Sequence, residues 1–221
     1  MNRQRPLRAL VTLGPTHEPM DEVRFIGNRS SGRMGTEIAR ALADRGCDVR
    51  VLAGPCQPAG LDSLPSVGRF RTAEELRALL AADWPDFDML VMAAAVADWR
   101  PRTIVGGKTR RQGATLTVEM EAVPEILGTL ESRPDQFVVG FALEPEAELL
   151  ASARAKLDRK RADCIVANPL QTMDAQMVAG TLVWPEGRVE RPAEMPCPKS
   201  AFAAWLVDRL LPAVNARCGI G

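Results

Sequence analysis

Little in this chain of 221 residues is placed for metal, thiol or bulk-charge chemistry. There is one histidine, His17, and the five cysteines (Cys47, Cys56, Cys164, Cys197 and Cys218) are scattered, odd in number and never spaced as CxxC. That pattern disfavours a Cys/His zinc site, and reduced thiols in a cytoplasmic protein are its simplest reading. Neither sign of charge dominates: Lys+Arg and Asp+Glu each total 28, a formal net charge of zero. This gives no basis for bulk binding of nucleic acid or of an anionic membrane, so any basic function must come from local clusters. The N-terminal segment lacks a long apolar stretch, and its apolar run is too short to span a bilayer. No internal repeat, low-complexity tract or targeting segment is evident. What is present is 46% hydrophobic residues, enough to bury a substantial core without metals or disulfides.

Apolar runs and amphipathic helices alternate along the chain. Leu7–Leu13 reads as a buried first strand, followed by a loop from Gly14 to Gly32. Met34, Ile38 and Leu42 then recur at helical spacing, with Gly46 as a stop. Asp48–Leu52, a weak strand at Phe70, Met89–Ala94, Phe137–Phe141 and Cys164–Ala167 supply further strands. Thr72-Ala73-Glu74-Glu75 is a capping box, Pro124 suits the first turn of a short helix through Leu130, and Ala147–Arg161 is a third helix. The alternation predicts an α/β fold with a doubly wound, mostly parallel, Rossmann-like sheet. Arg102–Met120, a glycine-rich basic turn followed by alternating residues, predicts a projecting β-ribbon at about 102–120. Thr181–Trp184 and Arg188–Arg191 flank Pro185-Glu186-Gly187, which predicts a hairpin. With a closing helix at about Lys199–Val214, this forms a C-terminal unit at about 180–216. No boundary divides the chain, so residues 1–221 read as one domain.

In such sheets ligands bind beyond the carboxyl ends of the strands. Gly14–Thr16, Ala95–Asp98, Phe141–Glu144 and Asn168 fall there. Gly27-Asn28-Arg29-Ser30-Ser31-Gly32-Arg33-Met34-Gly35 packs glycines, serines, an amide and two arginines directly ahead of a helix. Free N–H groups at a helix start attract phosphate or carboxylate, so the stretch reads as an anion cradle carrying the amide of Asn28. The plain alternative is a glycine-rich turn with Ser30 or Ser31 as an N-cap. A dinucleotide site is disfavoured: Gly14-Pro15-Thr16-His17-Glu18-Pro19 lacks GxGxxG, and no acid follows the second strand for a ribose. Gly27 and Gly32 have the spacing of a P-loop, but Arg33-Met34 replace its Lys and Ser/Thr. Asp98, after a run of small residues, suits a base, a ribose or a metal, or is a turn aspartate. Lys108, Arg110 and Arg111 suit a triphosphate and a departing pyrophosphate, or form a solvated hairpin tip. Lys156 and Lys160 share a helix face and could reach phosphates. His17 and Glu18 are acid–base candidates only as loop residues without a constellation.

These blocks together resemble the phosphopantothenoylcysteine synthetase family, the ligase of coenzyme A synthesis. The matching blocks include Val23-Arg24-Phe25-Ile26, the Asn28–Gly35 stretch, Ala94–Pro101, Lys108-Thr109-Arg110-Arg111, Val139–Ala142 with Glu144, and Lys156, Lys160, Ala167 and Asn168. The resemblance covers roughly residues 7–170. It implies that 4′-phosphopantothenate attacks the α-phosphate of CTP (or ATP), and that L-cysteine then displaces the nucleoside monophosphate. It further implies that Asn28 holds the acyl-nucleotidylate and that Ala95, Asp98 and Phe141 contact the nucleotide. Lys108, Lys156 and Lys160 would bind its phosphates, with Asn28 and Lys108 the residues closest to the chemistry. Gly14, Ser30, Ser31, Gly32 and Arg33 would bind anionic groups. Mg²⁺ is implied, with unknown protein ligands, as is a homodimer in which the ribbon around Lys108 crosses to the partner. The chain is too short for the flavin-dependent decarboxylase that many bacterial homologues carry, so no flavin is expected. Pro15, Arg110 and Arg111, Leu143 and Pro145, and Pro169-Leu170 depart from the family pattern. A non-catalytic nucleotide-binding relative is the alternative; an NAD(P)-dependent reductase is disfavoured.

Overall fold

The computed structural model describes residues 5–111, 113–172 and 175–219; Gln112 of the basic turn is among those outside the described residues. The first half contains β1 (Arg8–Leu13), β2 (His17–Pro19), β3 (Phe25–Gly27), α1 (Arg33–Ala43), β4 (Asp48–Ala53), β5 (Val67–Arg69), α2 (Ala73–Asp83) and β6 (Met89–Met92). There follow β7 (Trp99–Pro101), β8 (Met120–Ala122), β9 (Phe137–Glu144), α3 (Leu149–Lys160) and β10 (Cys164–Pro169). The chain closes with β11 (Met177–Val178), β12 (Thr181–Val183), β13 (Val189–Glu190), β14 (Cys197–Pro198) and α4 (Lys199–Cys218).

Eight strands form one sheet in the order β13-β12-β10-β9-β6-β1-β4-β5. Six are parallel, and β12 and β13 add antiparallel to one edge. Successive side chains of a strand point to opposite faces, and a sheet covered on both faces buries both sets. In β1, Ala9, Val11 and Leu13 enter one core with Ile38 and Leu42 of α1 and Phe202, Leu206 and Leu210 of α4. Leu10 enters the other with Leu76 and Leu80 of α2 and Ala153 and Leu157 of α3. Each fully buried leucine contributes about 1.5–3 kcal/mol relative to exposure, so the two layers hold the strand ends rigidly. Strand order reverses between β1 and β6, the point where the loops part and a ligand can enter.

The doubly wound sheet and the C-terminal hairpin are therefore present, and three local expectations are corrected. The ribbon is paired only at its base, where Trp99, Arg100 and Pro101 face Ala122, Glu121 and Met120; the other described residues between are irregular. Alternation at Thr115–Glu119 suggested a longer strand, but a two-stranded ribbon with no face to bury is marginal in water, and Leu116 is exposed. The helix expected from Pro124 is a single 3₁₀ turn at Leu127–Thr129. It carries Gly128, a poor helix former, in a segment too short to propagate. The loop read from Gly14 to Gly32 contains the β2–β3 hairpin. Its three-residue strands are too short for a periodic signal.

Candidate active site

The helix that follows the glycine-rich stretch starts at Arg33, and its N-cap is Gly32, with φ 73° and no side-chain cap. Ser30 and Ser31 are therefore not the capping residues. A left-handed φ suits glycine, and a Cβ on Gly32 would lie 2.7 Å from Cys56 Sγ and 2.9 Å from Leu13 Cδ1. One turn on, a Cβ on Gly35 would lie 2.5 Å from Leu13 Cβ, so α1 packs its backbone directly on the end of β1. The first N–H groups of an α-helix have no intrahelical partner. Without a side-chain cap they carry the positive end of the helix dipole into the space beside them.

Opposite lies the loop after β6, held by a series of hydrogen bonds. Ala94 N–H donates to Thr12 Oγ1 (3.1 Å) and Ala97 N–H to Thr16 Oγ1 (3.0 Å). Ala95 N–H donates to the Gly14 carbonyl (2.8 Å), and the Ala95 carbonyl accepts from Thr16 N–H (3.2 Å). Asn28 Nδ2 donates to the carbonyls of Ala95 (3.2 Å) and Val96 (2.9 Å). Both amide protons of Asn28 are thereby used, and its Oδ1 is the end left to accept. The result is a rigid backbone wall faced with methyl groups, suited to a flat or compact ligand.

Between these walls is a cleft of about 650 Å³, within the usual range for a small-molecule site. Asn28, Ser30, Ser31, Gly32, Arg33, Ala95, Asp98, Phe141 and Lys156 all line it. Three other expected residues lie elsewhere. Gly14 is buried behind the alanine loop and supports Ala95 through its carbonyl. Lys108 is exposed on the segment between β7 and β8. Lys160 lines a neighbouring cavity with Leu127, Leu130 and Arg161; burial lowers its ammonium pKa, and Glu125 lies 3.8 Å away. Arg29, Thr172, Val178 and Lys199 line the cleft without having been singled out, as does Leu170, noted above only as a departure from the family pattern. Arg29 lay inside the cradle motif, whereas nothing in the local sequence around Val178 or Lys199 marks a site.

Arg29, Arg33, Lys156 and Lys199 face the cleft against the single carboxylate of Asp98, among the described residues. Lys156 is held by Glu144 at 2.5 Å, and Ser152 Oγ donates to the same carboxylate oxygen at 2.9 Å. Lys156, then Ser152, keeps the Glu144 carboxyl below its ordinary pKa despite desolvation. Glu18 is not poised for proton transfer: it is buried and accepts Ala73 N–H at the start of α2 (2.9 Å). His17 stacks on Phe25 (3.6 Å between centroids), and burial lowers its pKa. Burial likewise pushes the Cys56 thiol up, away from a reactive thiolate. The cleft thus offers N–H donors, cations and fixed carbonyls, the equipment of positioning and charge stabilisation.

The family model of the DNA/pantothenate metabolism flavoprotein C-terminal domain matches residues 5–213. The chain is similar to the coenzyme A biosynthesis bifunctional protein CoaBC of Mycolicibacterium smegmatis, 40% identical over 73% of this chain and 42% of that protein. It is 37% identical to the Escherichia coli protein of the same name, over 96% of this chain and 53% of that protein. The chain thus spans about half the length of the curated relatives it matches. Among solved structures, the C-terminal domain of CoaBC superposes with a TM-score of 0.76 at 28% identity, covering 98% of this chain and all of that one. A Cab2 mutant in complex with phosphopantothenate-cysteine superposes at 0.78 and 20% identity, over 96% of this chain and 88% of that one, a likeness of fold. Among the described residues no helix is long and apolar enough to cross a membrane.

Proposed function

We propose a function from one premise: the chain belongs to the DNA/pantothenate metabolism flavoprotein C-terminal domain family. On that premise it is a ligase of coenzyme A biosynthesis that joins 4′-phosphopantothenate to L-cysteine at the expense of a nucleoside triphosphate. The observation that carries the reading is the meeting, in one cleft, of the uncapped start of α1, the alanine loop pinned by Asn28, and Lys156. A carboxylate, a triphosphate and a second phosphate must be brought together there, and each needs N–H donors or cations.

A carboxylate oxygen of phosphopantothenate attacks the α-phosphorus, the bond to the bridging oxygen breaks, and pyrophosphate leaves. The amine of cysteine then attacks the acyl carbon, and the nucleoside monophosphate departs with the bonding pair. The α1 terminus with Ser30, Ser31 and Arg33 binds anionic groups, and Ala95, Asp98 and Phe141 border the nucleotide. Lys156 meets its phosphates by exchanging Glu144 for them. CTP is the nucleotide we assign, with ATP as the competing choice. Mg²⁺ suits the site as the companion of the triphosphate, whose charge it neutralises when bound. Among the described residues no group of three His, Cys, Asp or Glu could cage a metal, which supports phosphate oxygens as its main ligands.

Lys108 does not line the cleft of its own chain, which supports a homodimer in which it reaches the partner's cleft. Val23, Phe25, Trp99, Ile104 and Val105 are exposed, and their two segments are joined by a bridge between Asp21 and Val105. An apolar corner of this kind suits a second copy of the chain. The five free cysteines are in keeping with the reducing cytoplasm. The test is turnover of purified protein with Mg²⁺, 4′-phosphopantothenate and CTP or ATP, with and without cysteine. Cysteine-dependent product formation is expected. Nucleotide binding without product would establish the non-catalytic relative instead.

A further inference from the structure

Asp21 lies outside the cleft, in the turn between β2 and β3, and its side chain is 1% exposed. Its Oδ1 accepts Val23 N–H and Arg24 N–H, both at 2.8 Å. These two bonds close an Asx-type turn and by themselves would make Asp21 an ordinary turn residue. Its second oxygen does something else: Oδ2 accepts Thr109 N–H at 3.1 Å, across 88 positions of chain. Other bonds run along the same seam. Val105 N–H donates to the Met20 carbonyl (3.0 Å) and Glu22 N–H to the Gly107 carbonyl (3.2 Å). Arg24 Nη2 donates to the Thr109 carbonyl (3.0 Å). The N–H groups of Val23, Arg24 and Thr109, Val23 foremost, hold the Asp21 carboxyl well below the usual carboxylate range, so it is an anionic acceptor at any working pH.

Gly107 and Thr109 are thus tied down and half-buried, whereas Lys108 between them is exposed. Tying both neighbours fixes the direction in which one side chain leaves the surface. The other described residues of the segment are irregular apart from its paired base, so among them no strand ladder does this. We propose that Asp21 is the positioning residue of Lys108, its second carboxylate oxygen tethering the segment that presents the ammonium to the triphosphate. The inference rests on the reading of Lys108 as a phosphate-binding cation. A preset cation loses less freedom on binding than one on a loose loop.

Asp21→Asn separates tether from turn. With Oδ1 kept on Val23 and Arg24, the new amide meets Thr109 N–H donor to donor and the ion pair of Oδ2 with Arg24 Nη1 (3.5 Å) goes with it, so the tether is lost and the Oδ1 bonds of the turn survive. Thr109→Pro removes the same N–H from the other side. Both are compared with Lys108→Gln and with the Asp21→Asn/Lys108→Gln double variant. The readouts are kcat and KM for the nucleotide and for 4′-phosphopantothenate, thermal midpoint, and amide exchange over residues 105–109. Each single variant is expected to lower kcat/KM for the nucleotide about tenfold, with KM for phosphopantothenate unchanged, and the double variant to be no worse than Lys108→Gln. Exchange at 105–109 rises in Asp21→Asn and Thr109→Pro. Multiplied losses in the double variant, or unaltered nucleotide kinetics in both tether variants, overturn the inference and leave the reading of Lys108 standing. A silent Lys108→Gln overturns that reading, and the inference with it.

Discussion

Replacing Asn28 by aspartate tests the alanine wall directly. Asn28 Nδ2 donates to the carbonyls of Ala95 at 3.2 Å and Val96 at 2.9 Å; a carboxylate presents oxygen to both and loses both bonds. Each is worth about 1 kcal/mol net. Asn28 is exposed, so the new charge swings into water instead of being trapped beside the carbonyls. The stability cost is therefore about 1–2 kcal/mol, and at about 2–4 °C per kcal/mol for a chain of this size the melting point falls by a few degrees. The effect on turnover is expected to be larger, because in the proposed reaction the carboxylate would repel the anionic acyl-nucleotidylate where an amide does not. A loss of about two decades in kcat, equivalent to about 2.7 kcal/mol, is expected. Pyrophosphate release and differential scanning fluorimetry on the same preparation give both numbers. Turnover within about threefold of the parent, in a protein whose melting point has moved as described, would refute the role of the Asn28 amide.

Gly35→Ala gains about 1 kcal/mol of helix propensity but sets its Cβ 2.5 Å from Leu13 Cβ and 3.2 Å from the Thr12 carbonyl. Overpacking costs about 1–3 kcal/mol, so urea titration should report a net loss of about 1 kcal/mol and a weaker KM for phosphopantothenate; equal stability would contradict the close packing of α1 on β1. Glu144→Gln removes the ion pair with Lys156. Because the Glu144 carboxyl is lowered from 4.5 in the folded protein, its stabilisation is full above that value and is lost as pH falls through the lowered one. The melting points of parent and variant should thus differ at pH 6 and converge as the pH falls through the lowered value; a constant gap would show that the pair contributes nothing. A Val23→Glu/Ile104→Glu double variant places charge on the exposed apolar corner. Light scattering should report monomers with little ligase activity, and an intact, active dimer would remove this face from the interface.

The sequence made the central architecture legible because its signals are local and periodic. The buried runs of β1, β6, β9 and β10 leave no face for water, and Thr72 does accept Glu75 N–H at 3.2 Å as the start of α2 requires. The glycine-rich stretch was legible as the lead into a closely packed helix because only glycine fits the φ of Gly32 and the contact of Gly35 with Leu13. The missed parts depend on the rest of the fold. Three-residue strands such as β2 and β3 carry no period, and the ribbon's length was set by the absence of a covering layer. Val178 and Lys199 reach the cleft only because α4 packs on α1 and brings the last part of the chain back to the sheet. Lys160 shares a helix face with Lys156, yet the 3₁₀ segment at Leu127–Thr129 encloses it in a separate cavity.

The most direct test of the proposed ligase activity is a ³¹P spectrum of the reaction with Mg²⁺, CTP, 4′-phosphopantothenate and cysteine. Stoichiometric CMP and pyrophosphate, with a phosphopantothenoyl nucleotidylate accumulating when cysteine is withheld, is the result the account predicts. CDP and inorganic phosphate, or no consumption of CTP or of ATP by folded protein that binds the nucleotide, would contradict it.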